Sequence, residues 1–370
     1  MSNLQRSLGA LVSVMTALVV VWASPAVDAV SQPQPAVTVP TQSVDRTRTY
    51  AAALPVPPRI QWNENFGYCG EVSFISAELY YGQYISQYDA RKIASKNAHQ
   101  NLASSQLLLG INDAYAARAM HLSAVAFNTA AQTSSKSFLT WVKANIKSGY
   151  PVAIGVFANQ SRFNDSTDLN AGETEYDHIV IATGIRSTHS LKGKPTYYGS
   201  DILTFDDNGL WTGTFNSRPQ NVFSYSFGAF TATRRVANAP QGSVYSLKNG
   251  ANYGIAITGV VDRSHETLPV RLTTNINYES PEIGENSSVR PAARPVRLTI
   301  RVSGLRPNAA YNLYRYSSVA AVPESNFNAK APSAAQRWII RISAGSTYTT
   351  TQTISSNEVA IYRAVPVAAR

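Results

Sequence analysis

The sequence predicts an α+β domain followed by an all-β sandwich domain. Three observations carry this. Over residues 59–236 helical periods come first and strand-type runs second, and beyond a Pro/Gly-containing boundary at 237–242 only strand-type runs remain. The chain has 370 residues, more than one compact core usually takes. Twenty tyrosines and 21 glycines also lean toward a strand-rich protein.

In the first domain, Phe66-Gly67-Tyr68-Cys69-Gly70 is a turn-like approach to a run opening at Glu71. There Val72, Ile75 and Leu79 fall at i, i+3 and i+7, one apolar helix face. Further helices are expected over 89–97, 107–120 and 137–148. Strands are expected over 152–157, 178–184 and 201–205, each β-branched or aromatic and bounded by turn residues. In the second domain, 243–370, alternating strands are expected over 253–261, 268–278, 296–302, 311–316, 338–343 and 358–362, a β-sandwich of immunoglobulin size. The stretch from Gly304 to Tyr311 resembles the turn-and-tyrosine corner of fibronectin type III-like modules.

The N-terminus points to export. Arg6 precedes an uncharged apolar run from Leu8 to Ala23, and Val27 and Ala29 offer small residues at the −3 and −1 positions of a cleavage site. Cleavage after Ala23 is the weaker alternative because Pro25 follows closely. Residues 1–29 are therefore expected to be a secretory signal peptide, and an uncleaved anchor is the other option. Residues 30–58, rich in Pro, Gln, Thr, Ser and Ala, read as a disordered linker or pro-segment. The mature protein is expected to be secreted, with no membrane partner. The sequons at Asn159, Asn164 and Asn286 agree with export.

The formal charge of +10 favours acidic partners, but its cationic residues are scattered singly, as at Arg297, Arg301, Arg306 and Arg315. No nucleic-acid partner is expected. A cell-surface or wall polymer held through the second domain fits better.

Export makes the single cysteine informative, because exported domains usually pair theirs. Cys69 stands just before the apolar helical stripe, where peptide dipoles favour a thiolate, and Gly70 permits close backbone approach. Of five histidines, His99, His121, His189 and His265 sit in loop or helix-end contexts. His178 instead opens a strand directly after an acidic loop, placed to be aimed at a thiol. An imidazole needs an orienting acceptor. If the strand over 201–205 pairs antiparallel with that of His178, Asp206-Asp207-Asn208-Gly209 comes to lie beside it. Otherwise those four residues are simply a hairpin turn. One cysteine and dispersed histidines offer no metal-ligand spacing, and no cofactor is expected.

Four segments in order resemble papain-fold cysteine peptidases, closest to the C39-like group. They are Gly67-Tyr68-Cys69-Gly70-Glu71-Val72-Ser73 with Leu79-Tyr80-Tyr81-Gly82; Gly149-Tyr150-Pro151-Val152-Ala153-Ile154; Asp177-His178-Ile179-Val180-Ile181-Ala182-Thr183-Gly184; and Leu203-Thr204-Phe205-Asp206-Asp207. The resemblance implies Cys69 as nucleophile, His178 as general base and Asp206 as orienting acid, with Asp207 or Asn208 next in line. The family's oxyanion glutamine lies six residues before the cysteine. Here that position is Asn63, and the nearest glutamine is Gln61. Losing one oxyanion donor costs roughly 10²–10³ in rate.

The expectation is then a secreted thiol hydrolase that cleaves peptide or amide bonds through an acyl-thioester, with a peptide or protein substrate. A Cys69/His178 ion pair would keep thiol labelling fast at mildly acidic pH. Two other readings are a transglutaminase-like acyl transferase and a catalytically inactive papain-fold adhesion or recognition protein.

Overall fold

The computed structural model describes residues 49–62, 64–96, 99–211, 214–215, 218–219, 221–276 and 287–367. The expected signal peptide, most of the linker, Asn63 and the Asn286 sequon lie outside the described residues.

The first half runs β1 (Tyr50–Ala53), α1 (Cys69–Tyr80), β2 (Gln83–Tyr84), α2 (Gln87–Ser95), α3 (Asp113–Ala119), β3 (Leu122–Ala126), α4 (Ser135–Lys147), β4 (Val152–Ala158), the one-turn α5 (Gln160–Phe163), β5 (His178–Ser187) and β6 (Ile202–Asp206). Short β7 (Thr214–Phe215) and β8 (Arg218–Pro219) pair with each other. They are followed by β9 (Val222–Ser226), α6 (Phe227–Phe230), β10 (Thr231–Ala232), α7 (Arg234–Ala237), β11 (Tyr245–Lys248) and β12 (Gly254–Val260). The second half adds β13 (Val270–Thr274), β14 (Pro295–Ser303), β15 (Ala310–Tyr316), β16 (Gln336–Arg341), β17 (Thr347–Ser355) and β18 (Ala360–Pro366). The fold is α+β with mostly antiparallel sheets.

The large sheet has the order β10-β11-β4-β5-β6-β9; β12 pairs with β3 and β4, and β1 with β5. Its central strands β4 and β5 are covered on both faces, which is why they read as unbroken apolar runs. Strand alternation sends Val152, Ile154, Val156, Val180 and Ala182 to one face, against Phe138, Leu139, Val142 and Ile146 of α4. Ala153, Ile179 and Ile181 go to the other face, against Phe74, Ile75 and Ala77 of α1.

In the second half, β13-β14-β17 and β16-β15-β18-β2 share a core that includes Leu272, Leu298, Ile300, Leu313, Ile340 and Tyr362. Strand β2, from the first half, closes the second of these sheets by pairing with β18. Helix α1 bridges the two cores: Leu79 packs in the sandwich and Ile75 against the large sheet. All its residues but Cys69 are buried, Glu71, Ser73, Ser76 and Glu78 among them, so it is covered beyond the single apolar stripe expected. Val44–Arg370 accordingly forms one compact unit. The Tyr311 hydroxyl accepts the Arg306 N–H at 2.8 Å, as a tyrosine corner does, and Gly304 supplies the positive φ of +80° that the turn needs.

Three expectations differ from the structure. The segment before Pro58 is not wholly a linker, because β1 pairs with β5 and the Leu54 N–H donates to the Thr183 carbonyl. Residues 237–242 do not end the first sheet: β11 and β12 follow them and pair with β4, so the change to the sandwich falls beyond Val260. The helix expected over 107–120 occupies only Asp113–Ala119, since Gly110 at φ +77° and the loop before it break the run.

Candidate functional site

Cys69 is the first residue of α1. The approach to it is held by a buried polar cluster. Glu71 in the first turn accepts from Arg91 Nε at 2.7 Å and from the Leu107 N–H at 3.1 Å. Arg91 donates on to the carbonyls of Asn65, Gln100 and Gly67, and its guanidinium lies 3.6 Å over the Tyr68 ring. Gly70 lets the Leu107 backbone press on the helix start, because a Cβ there would stand 2.0 Å from the Leu107 carbonyl oxygen. Composition gave no sign of the Arg91–Glu71 pair. An arginine in an otherwise amphipathic α2, with an acid in the first turn of α1, was the only hint.

The half-buried Cys69 sits in a cavity of about 820 Å³ lined by Phe66, Leu109, Ile111, Tyr176, Ile179 and Tyr253, among others. The N–H groups of Ile179 and Gly70 favour a thiolate, but burial and the neighbouring Glu71 outweigh them and push the thiol up to about 11. Acidic residues occupy one rim. Asp177 is tied to Arg234 at 2.6 Å and accepts the Ala158 and Glu173 N–H groups; Glu175 pairs with Lys248 at 2.5 Å.

His178 is elsewhere. It pairs across the ladder with Val156, whose side chain lies on the α4 face, and residues directly opposite share a face. Its ring stacks on Tyr245, a residue of the α4-side core, at 5.8 Å between centroids. The neighbour that meets α1 and lines the Cys69 cavity is Ile179. The structure therefore does not bring the expected nucleophile and base together: β5 separates them. Burial lowers the His178 pKa to about 4, so the imidazole is neutral, and Nε2 carries a proton donated to the Asp207 carbonyl at 3.0 Å. The expected ion pair has no counterpart in this arrangement.

Strands β5 and β6 do pair antiparallel, with Ile181 opposite Asp206, so the end of β6 lies beside the start of β5. The residues there take separate roles. Asp207 meets His178 through its main chain, while its carboxylate accepts from the N–H groups of Gly209 and Trp211 and from the Tyr245 hydroxyl, each at 3.0 Å. The Asp206 carboxylate accepts the Asn208 N–H at 2.7 Å, and burial pushes it up to about 7. Asn208, in the left-handed region at φ +57°, reaches α1. Its amide donates to the Ile179 carbonyl at 2.9 Å, Ser73 Oγ at 3.1 Å and the Cys69 carbonyl at 3.3 Å. Gln61 lies at the same junction: its N–H donates to the Asn208 carbonyl, and its Oε1 accepts from the Tyr68 N–H at 3.3 Å. Its Nε2 is buried without a hydrogen-bond partner among the described residues.

The site thus offers a thiol at a helix start, an unengaged amide donor beside it, and a largely apolar cavity with Phe66 and Ile111 exposed. No family model, no curated protein and no solved structure matches this chain.

Proposed function

We propose that the chain is an exported recognition protein on a cysteine-peptidase-like layout, whose Cys69 cavity holds an apolar segment of a polypeptide without turning it over. The observation that carries this is the placement of Cys69 and His178 on opposite faces of β5. A cysteine peptidase needs an imidazole within hydrogen-bond reach of its thiol. Here the thiol is protonated at neutral pH and the imidazole is committed to Asp207. What remains is a binding cavity: about 820 Å³ lies within the size of ligand sites, and its lining is largely apolar, with Phe66 and Ile111 exposed in it. The test is to titrate short apolar peptides into the full chain and follow binding by calorimetry. Phe66→Asp and Ile111→Asp should each weaken binding about tenfold; affinity unchanged in both variants overturns the cavity as the binding site.

One observation favours a second reading, a slow thiol hydrolase. Gln61 Nε2, near the start of α1 and without a hydrogen-bond partner among the described residues, is the kind of donor that an oxyanion at Cys69 requires. Gln61→Glu would then abolish any residual amide hydrolysis, whereas a pure recognition protein has none to lose.

A further inference from the structure

A second cavity, of about 770 Å³, opens at the other end of α1, at Tyr80 and the C-cap Tyr81. Its walls include Tyr150 from the loop before β4, Tyr362 and Arg363 of β18, and Arg271 of β13. None of these takes part in the site around Cys69.

Arg271 is the unusual member. Its guanidinium lies 3.5 Å over the Tyr80 ring, and its Nη1 is buried with no hydrogen-bond partner among the described residues. No carboxylate is paired with it among those residues. In the β13–β14 ladder it stands directly opposite Arg301, which is likewise unpaired there. Like charges facing across an antiparallel pair destabilise it, and a bound anion would offset that cost. Arg363 adds a second cation, 1% exposed, whose Nε also has no hydrogen-bond partner among the described residues. Its charge is opposed by Asp262 and Glu78, so Arg271 carries the greater demand for an anion. The acid in the wall, Asp262, is occupied by its own turn: its oxygens accept from the main chain and hydroxyls of Ser264 and Thr267.

We propose that this cavity binds an acidic saccharide, with Arg271 taking the carboxylate of a uronic acid unit and the half-buried Tyr81 and Tyr150 packing on the sugar. A planar guanidinium matches a carboxylate in a two-point contact. Tyrosine walls supply an apolar face for the C–H side of a pyranose with hydroxyls at its edge. A compact inorganic anion would use the guanidinium and leave the aromatic walls empty. The volume is that of a site for a ligand larger than such an ion. The formal charge of +10 draws a polyanionic chain toward the surface.

The experiment is calorimetric titration of the full chain with galacturonic acid trimer, beside the neutral galactose trimer and inorganic phosphate. The acidic trimer should bind at least about tenfold more tightly than the neutral one. Arg271→Gln should lose at least that factor while keeping its unfolding transition. Equal affinity for the two trimers, no binding of the acidic one, phosphate competing as well as the trimer, or unchanged binding by Arg271→Gln overturns the proposal. Should Arg271→Gln fail to fold, Tyr150→Ser, which leaves β13 intact, is read instead: weaker trimer binding supports the site and unchanged affinity refutes it. Reactivity of Cys69, at the far end of α1, should be the same with and without the sugar.

Discussion

Asn208→Ala tests whether the start of α1 is clamped to β5 through one side chain. The wild-type amide has two N–H donors spread over three acceptors, the carbonyls of Ile179 and Cys69 and Ser73 Oγ, at 2.9, 3.3 and 3.1 Å. Each net hydrogen bond contributes about 0.5–1.5 kcal/mol, and a carbonyl left buried and unpaired costs more. Its Oδ1 has no partner among the described residues, so no bond is counted on that side. The backbone adds a second cost. Asn208 sits at φ +57°, where an alanine is disfavoured by about 1–2 kcal/mol. The sum is about 2–5 kcal/mol for Asn208→Ala. Asn208→Gly loses the same bonds but relieves the backbone, and should be about 1 kcal/mol less damaging. Urea unfolding at neutral pH, with unchanged denaturant slope, measures both. A cost for alanine under about 1 kcal/mol, or a glycine variant no better than alanine, refutes the reasoning.

Other expectations concern the polar groups at the ends of β5 and β6. The pKa of His178, lowered to about 4, keeps the imidazole neutral through pH 5, and its stabilising contribution grows as pH rises from about 4 to the ordinary 6.5. A ring-proton NMR titration with a midpoint near 6.5 contradicts that burial. For Asp206 the sign is opposite. Its folded pKa, raised to about 7, contributes stability that is full below the ordinary value near 4 and is lost as pH rises through 7. Asp206→Asn should therefore gain on the wild type between pH 4 and 8, by on the order of 4 kcal/mol; parallel pH curves would count against it. Tyr245→Phe removes a 3.0 Å bond to the Asp207 carboxylate and should cost about 1.5–3 kcal/mol in the same urea assay.

Much of the order of elements was legible in the sequence, and the faces were not. Helices α2 and α4 and strands β4, β5 and β6 fall within a few residues of where periodicity placed them. The failure at His178 has a definite cause. In His178-Ile179-Val180-Ile181-Ala182 every residue after the histidine is apolar, because α1 covers one face and α4 the other. A strand buried on both sides carries no alternation to say which way its first residue points. The same silence applies to Asp206, Asp207 and Asn208, three consecutive polar residues that diverge to three partners. Strand β1 was missed because Tyr50-Ala51-Ala52-Ala53 has little strand propensity and is held by pairing with β5. The boundary at 237–242 misled because Pro and Gly mark a tight turn as readily as a linker, and the Gly242 N–H closes on the Ala239 carbonyl at 2.7 Å. What the motif around Cys69 did convey was its place at a helix start and the close approach at Gly70.

The separation of Cys69 from His178 by β5 underlies the proposed function. Its most direct measurement is the pH dependence of Cys69 labelling by an epoxysuccinyl reagent, in the wild type and in His178→Asn, with Cys69→Ala as the blank. The rate should be no faster than that of free cysteine at neutral pH, rising continuously toward pH 10 because the thiol titrates near 11. His178→Asn should leave that profile unchanged. Rapid labelling that persists at mildly acidic pH and collapses in His178→Asn would place the imidazole at the thiol and contradict it.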